Sequence, residues 1–590
     1  AFIAHARSKV PNARVLGVHS SVPWTLDHLL RDGEEAYAVA QCDSTLQMRF
    51  ELQREDPGTV VKVLVTPLEQ GEIGDDILVR LARRRLWPID RWEIVKGLFH
   101  ANRVDPSLAS QSWMPDLLLG RDQAYVAAPG GFLDAESVWA ILLRERLGID
   151  PESLDLACVL RWGRDRRNVD CFRHGVEPFR VEARRWICRM AGVVAGVVLD
   201  SCLSPDAPDP VALGLALGVV YHSEGSGQMD KPAGRIEQYL GGHAMDAATA
   251  RRWQTAAEEV IRRGDPNSAE SRESCRRAEE LLKAIQAESF AYTSDVLPLA
   301  FEQRLVRYAS ALCSTPANSS REGLRALGDA RQRVVEHHHA CHEARRMERL
   351  EMSLRLARWL ATRNQGQEGE HGSFAEAARS YLEEGGFVDW ARQSIRAGDP
   401  ARELSEAYAQ LSKRATEVRE RENRAFAELL RDWAAAGSRG RGILLVERVI
   451  EEGGAPIAEN QRVLLLVLDG MSCAVFRELL RDLARKGWTE VREGGTRAPL
   501  PVIAALPSIT EVSRTSLLCG LLRAGGAADE VAGFEGHPSL LAHGRGASAP
   551  KLFHKLSLTQ GREDAANSAV RTAIASKTCR VVGVVLNAVD

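Results

Sequence analysis

Residues 463–470 read VLLLVLDG, six apolar residues followed by Asp469 and Gly470. A run that is apolar at every position, not at alternate ones, is the pattern of a strand covered on both faces in a parallel sheet. The pattern predicts a central strand over Val463–Leu468. In open parallel sheets ligands bind beyond the carboxyl ends of the strands, and Asp469 stands at such an end. A carboxylate on a rigid strand tip suits a metal ligand. It suits equally a cap on the helix that follows.

Working outward, Ala474–Lys486 is amphipathic, with Val475, Leu479, Leu480 and Leu483 on one side, and Gly487 stops it. Thr489–Arg492 reads as a short strand, Val502–Leu506 as an apolar segment, Ile509–Leu522 as a helix and Val581–Leu586 as a further buried strand. Strand and helix alternate, so residues 437–590 are predicted to form a mainly parallel α/β domain with flanking helices.

The second chemical motif in this stretch is LPSITEVSRTSLLCG at 506–520. Pro507 and Ser508 mark a turn, and a helix begins near Thr510. Helix N-termini carry unpaired N–H groups and attract phosphoryl groups. Thr510 and Arg514, four residues apart, share one helix face. A hydroxyl beside a guanidinium suits attack on phosphorus, the cation holding the equatorial oxygens. The same spacing fits Thr510 as a helix cap and Arg514 as a solvated helix residue. A threonine hydroxyl is a poor nucleophile until something lowers its pKa. A divalent ion held by Asp469 would do so, which joins the two motifs.

The strand-Asp-Gly signature at 463–470 resembles the first metal-ligand motif of the alkaline phosphatase superfamily. TEVSRTSLLCG looks like that superfamily's nucleophile motif, which in sulfatases is C-x-P-S-R followed by an apolar pair and Gly. Thr510 stands where their cysteine lies, and Ser513 and Arg514 match the Ser-Arg. Threonine removes the sulfatase reading and matches nucleotide pyrophosphatase/phosphodiesterases. LVLDGMS, ALPSITEVSR, KLFHK at 551–555 and VVGVVLNAVD at 581–590 together resemble the PglZ domain of bacteriophage exclusion (BREX) systems. VLVTPLEQGEIGDD at 63–76 is similar to the type-2 (Pgl) subtype.

The resemblance implies a phage-defence component with a metal-dependent phosphohydrolase domain, a phosphatase or a phosphodiesterase/nuclease. It implies Thr510 as nucleophile with Arg514 beside it, and two divalent ions, zinc, held by Asp469, Thr510 and Asp590. It implies methyltransferase and ATPase partners, and a phosphorylated substrate or nucleic acid. The Asp-His pair and further ligands of the family find no match in residues 1–590. The alkaline-phosphatase-like domain is therefore expected to be truncated at its C-terminus, and the chain to be weak as a catalyst. The rival reading is a non-catalytic scaffold that docks the methyltransferase or ATPase.

At 590 residues the chain is too long for one core. Residues 1–95 alternate strand signals (Arg14–His19, Glu35–Cys42, Thr59–Thr66) with a helical spacing over Asp76–Leu86, which predicts a small α/β domain. It lacks the paired acidic residues of a receiver domain. Residues 96–240 read as mixed and mostly helical, including Trp139–Leu147, stopped by Gly148. Residues 241–436 read as a helical domain built from Asp246–Arg263, Glu273–Glu288, Leu324–Thr362 and Glu403–Ala435, with Asp246 as the first cap. The fold class is thus α/β plus α.

A net charge of −3 excludes a global basic field for nucleic acid. Eleven cysteines without a CxxC read as reduced thiols of a cytoplasmic protein. No apolar run reaches the ~18–20 residues of a membrane helix, and Val193–Leu199 and Val211–Tyr221 read as buried elements, so no membrane partner is expected. Two weaker signals remain. EHHHACH at 336–342 puts His338 and His342 at i,i+4 spacing on a helix, a spacing that can bind zinc but reads more simply as a solvated face. His554 and Lys555, at a helix start, could approach a phosphate or lie on the surface.

Overall fold

The computed structural model describes residues 14–32, 35–54, 60–121, 123–204, 207–225, 227–240, 244–265, 268–315, 321–364, 371–438, 442–491, 500–541, 549–554 and 563–586. The chain divides into two compact units, the first ending at Leu297 and the second beginning at Pro298.

The first unit opens on a five-stranded sheet of β1 (Val15–His19), β2 (Leu29–Asp32), β3 (Glu35–Gln41), β4 (Val60–Thr66) and β5 (Leu86–Pro88), in the order β2-β3-β4-β1-β5. Only the β2–β3 hairpin is antiparallel. Leu81 lies over Gly17 so closely that a Cβ there would stand 2.6 Å from its Cδ1, and this contact seats the loop before β5 on the sheet. The helix expected over Asp76–Leu86 is corrected. It shrinks to Asp75–Leu78, and Leu86 already belongs to β5, because sheet pairing with β1 outweighs the helical spacing. Two short strands, β6 (Arg103–Val104) and β7 (Phe132–Leu133), pair in parallel.

Helices fill the rest of this unit. All eleven residues of α1 (Pro210–Val220) are buried, as expected of a helix apolar all round. Asp209 caps it, accepting from Val211 N at 2.9 Å. It packs on α2 (Ala247–Arg263), whose Trp253 donates from Nε1 to Pro210 O at 2.8 Å. Asp246 caps α2 through Ala248 N and Thr249 N. Next comes α3 (Ala269–Ala284).

The second unit begins with a helical array: α4 (Pro298–Ser314), α5 (Arg321–Val335), α6 (Ala344–Asn364), α7 (Phe374–Ser380), a π-helical turn over Tyr381–Gly385, α8 (Gly386–Arg396) and α9 (Arg402–Ala435). Leu305, Tyr308, Leu350, Ala391, Leu404 and Tyr408 lie in its core. The continuous helix expected over Leu324–Thr362 is corrected. It breaks between α5 and α6, and the histidine run forms a 3-10 turn over His338–His342. His337 and His339 pack against Phe301, with ring centroids 5.4 and 6.2 Å away, so two of the imidazoles belong to an interior contact and not to a solvated helix face.

The α/β part follows. β8 (Leu444–Leu445) and β10 (Val502–Ile503) pair in parallel. A second parallel sheet holds β9 (Val463–Leu468), β11 (Lys551–His554) and β12 (Val581–Leu586) in the order β11-β12-β9. The central strand expected at 463–468 is therefore corrected: among the described residues β12 is central and β9 is at the edge. The cause lies in the helix after β9. α10 (Cys473–Arg485) packs on α8, buries Ala474 in the helical core and ties Arg481 to Glu348 at 2.7 Å. Leu464 and Leu466 are left 43% and 52% exposed. No strand forms over Thr489–Val491, and Arg492 lies outside the described residues. His554 ends a strand instead of starting a helix.

Candidate functional site

The site lies at the carboxyl ends of β9, β12 and β11. Parallel register sets Leu468 beside Leu586 and His554 beside Val585. Asp469 continues the ladder for one more bond, its N–H donating to Leu586 O at 3.0 Å. Gly470, with φ of 70°, then turns the chain away and donates its N–H to Asp469 Oδ1 at 3.1 Å. Asp469 does not cap α10; Ser472 does, accepting from Val475 N.

α11 (Thr510–Cys519) begins beside this rim, followed by α12 (Ala527–Glu535). Thr510 is the first residue of α11 and not its cap. The cap position is Ile509, which offers no side-chain hydrogen bond to the first turn. Gly520, with φ of 69°, ends the helix, and the His537 ring occupies the space a side chain there would need. Thr510 is exposed. Arg514, one turn further on, is not a solvated helix residue: its side chain is 14% exposed. It donates from Nη1 to Asp469 Oδ2 at 2.6 Å, and from Nε to Glu530 Oε1 and Oε2 at 3.0 and 3.1 Å. Four residues at about 1.5 Å rise set Thr510 roughly 6 Å along the helix axis from the residue that grips Asp469.

Glu530, on α12, was not singled out in the sequence. It is wholly buried. Besides Arg514 it accepts from Thr515 Oγ1 at 3.2 Å, and His554 Nε2 lies 3.2 Å from its Oε2. Burial pushes the His554 imidazole below its ordinary pKa; Glu530 opposes that shift and Arg514 adds to it. No local signal marked Glu530: in ADEVAGFE, residues 528–535, it stands between two other acids, Asp529 and Glu535, and only its burial beside Arg514 sets it apart.

The structure thus joins Asp469 and Arg514 directly, and Thr510 stands one helical turn before Arg514. Asp590 and Lys555 lie outside the described residues. Among the described residues no three His, Cys, Asp or Glu side chains group as metal ligands. Asp469 has given Oδ2 to Arg514, and both oxygens of Glu530 are engaged. These residues alone do not fit the two-ion centre that the resemblance implies. No described helix is long and apolar enough to cross a membrane.

Comparison with known families gives two matches. The BREX system PglZ N-terminal domain matches residues 3–90, and the BREX system PglZ second domain matches residues 155–296. The chain belongs to the PglZ family of the BREX system. No curated protein and no solved structure matches it. The second match ends one residue short of the division between the two compact units and runs across position 240. Both matched PglZ domains precede the candidate site, so membership rests on residues other than the Asp469 and Thr510 motifs. As a BREX component, the PglZ chain has other members of that system as its partners.

Proposed function

We propose that this chain serves the BREX system as a metal-dependent phosphohydrolase of the alkaline phosphatase type, a phosphatase or phosphodiesterase, with Thr510 as nucleophile. The observation that supports the reading is the bond between Arg514 and Asp469. It holds an uncapped helix start with an exposed hydroxyl beside the carboxyl ends of a parallel sheet, where oriented N–H groups favour a phosphoryl oxygen. Thr510 Oγ loses its proton to solvent as it forms the new bond to phosphorus, the leaving oxygen departs with the electrons of the bond that breaks and is protonated by solvent where its pKa requires, and water then cleaves the phosphothreonine, releasing phosphate and restoring the hydroxyl. Arg514 Nη2 has no hydrogen-bond partner among the described residues, and it is the donor assigned to a phosphoryl oxygen. Glu530 acts through Arg514 and is a positioning residue. A divalent ion, zinc in the resembled family, would bind Asp469 only through Oδ1 or after Arg514 releases Oδ2.

A second reading, a scaffold that docks the methyltransferase or ATPase components, is favoured by that same occupation of Asp469. Hydrolysis of bis(4-nitrophenyl) phosphate and 4-nitrophenyl phosphate by the full-length protein, with and without added Zn²⁺, separates the two. Metal-dependent turnover lost in Thr510→Ala supports the enzyme. Equal rates in the two proteins remove Thr510 from the mechanism, and no turnover in either supports the scaffold.

A further inference from the structure

Two carboxylates share one guanidinium at the candidate site. Arg514 serves Asp469 through Nη1 and Glu530 through Nε, so the three side chains sum to one negative charge. Glu530 has no exposure to water, and a buried carboxylate needs its compensation close at hand. His554 stands in the position to supply more of it. Its Nε2 lies 3.2 Å from Glu530 Oε2, an ion-pair distance, and its side chain is 12% exposed. The series Asp469, Arg514, Glu530, His554 thus runs from the tip of β9 through α11 and α12 to the end of β11.

The charged groups that bear on the His554 ring are Glu530 of α12 and Arg514 of α11, and its neighbour in register on β12 is the apolar Val585. A neutral His554 leaves Glu530 with Arg514 as counter-charge and the Thr515 hydroxyl as a neutral donor. A protonated His554 adds a second counter-charge. The two cations then compete for one carboxylate, and Arg514 opposes the proton on the imidazole. Linkage makes the effect mutual: the proton on His554 weakens the hold of Glu530 on Arg514.

We propose that His554 is a positioning residue for the phosphoryl group: protonated, it takes up part of the charge of Glu530 and frees Arg514 to grip an anionic phosphoester at the start of α11. The inference rests on the phosphohydrolase reading of the site, and it concerns binding and not the attack by Thr510. One added unit charge in a partly buried network changes the affinity for an anion by about tenfold. Burial depresses the imidazole, so the change falls below about pH 6.5.

Calorimetry with bis(4-nitrophenyl) phosphate tests this on the full chain carrying Thr510→Ala, at about pH 5 and about pH 8, on either side of the ordinary imidazole range. The ester is a monoanion at both values, and the Thr510→Ala background separates binding from turnover. Affinity about tenfold higher on the acid side is expected. With His554→Gln added, the two affinities coincide at the weaker value. Glutamine keeps an amide beside Glu530, and a single cooperative urea transition at each pH shows that the variant is folded. With Glu530→Gln added instead, the pH dependence also disappears; its persistence there would put His554 on the ester itself and overturn the positioning role. Affinity independent of pH in Thr510→Ala, the same dependence after His554→Gln, or no saturable binding at either pH likewise overturns the proposal. Turnover is a separate readout, so the attack by Thr510 can fail while the binding result stands, and the reverse.

Discussion

Arg514 donates from Nη1 to Asp469 Oδ2 at 2.6 Å while its Nε is shared between the two oxygens of Glu530 at 3.0 and 3.1 Å. One cation thus ties the tip of β9 to the buried side of α12. The bond to Glu530 is the one the fold depends on, because Glu530 has no exposure to water. The bond to Asp469 sets the charge balance of the rim: it neutralises the carboxylate that a cation would otherwise claim.

Removing one partner of a buried ion pair leaves an uncompensated charge. Arg514→Ala is therefore expected to cost the second unit about 3–5 kcal/mol in urea unfolding. Combining Arg514→Met with Glu530→Gln recovers part of that loss, since neither charge is then stranded. An Arg514→Ala variant as stable as wild type would contradict the pairing.

Thr510 is exposed and its side chain makes no hydrogen bond among the described residues. Thr510→Ala should leave stability within about 0.5 kcal/mol of wild type. Any loss of turnover in that variant then reports chemistry and not unfolding, provided the urea midpoints agree.

The sheet order makes a direct packing prediction. Val585 on β12 is fully buried, whereas Leu466 on β9 is 52% exposed. Val585→Ala should cost about 2 kcal/mol, and Leu466→Ala less than about 0.5 kcal/mol. The reverse ranking in urea titrations would place β9 at the centre.

The histidine run predicts sensitivity to acid. Burial, His338 and His342 lower the pKa of His339, against the opposing pull of Glu343 and Glu302. A histidine with a depressed folded value binds fewer protons folded than unfolded, so stability rises with pH across the window below about 6.5. The melting temperature should fall on acidification through that window, and His339→Gln should flatten the dependence.

Much of the architecture was legible because local patterns agreed with the fold. Val15–His19, Glu35–Gln41 and Val60–Thr66 are strands rich in β-branched or apolar residues, and Asp246 announced α2 by cap chemistry. The misreadings have tertiary causes. VLLLVL does not reveal that α10 leaves for α8, so an edge strand reads as a central one. The helical spacing at 76–86 does not reveal the pull of β1 on Leu86. At the site, Asp469 and Arg514 were legible singly, because strand end and helix spacing place them. Glu530 was not, because its role depends on α12 folding back over α11, which no sequence-local signal carries.

Attack of Thr510 on phosphorus leaves a covalent intermediate that can be trapped. The full-length protein is mixed with bis(4-nitrophenyl) phosphate and Zn²⁺ and quenched in acid. Its peptides are then mapped by mass spectrometry. A phosphoryl adduct is expected on the peptide holding Thr510, and none in Thr510→Ala. Turnover with no modification at Thr510, or undiminished turnover by Thr510→Ala, would contradict it.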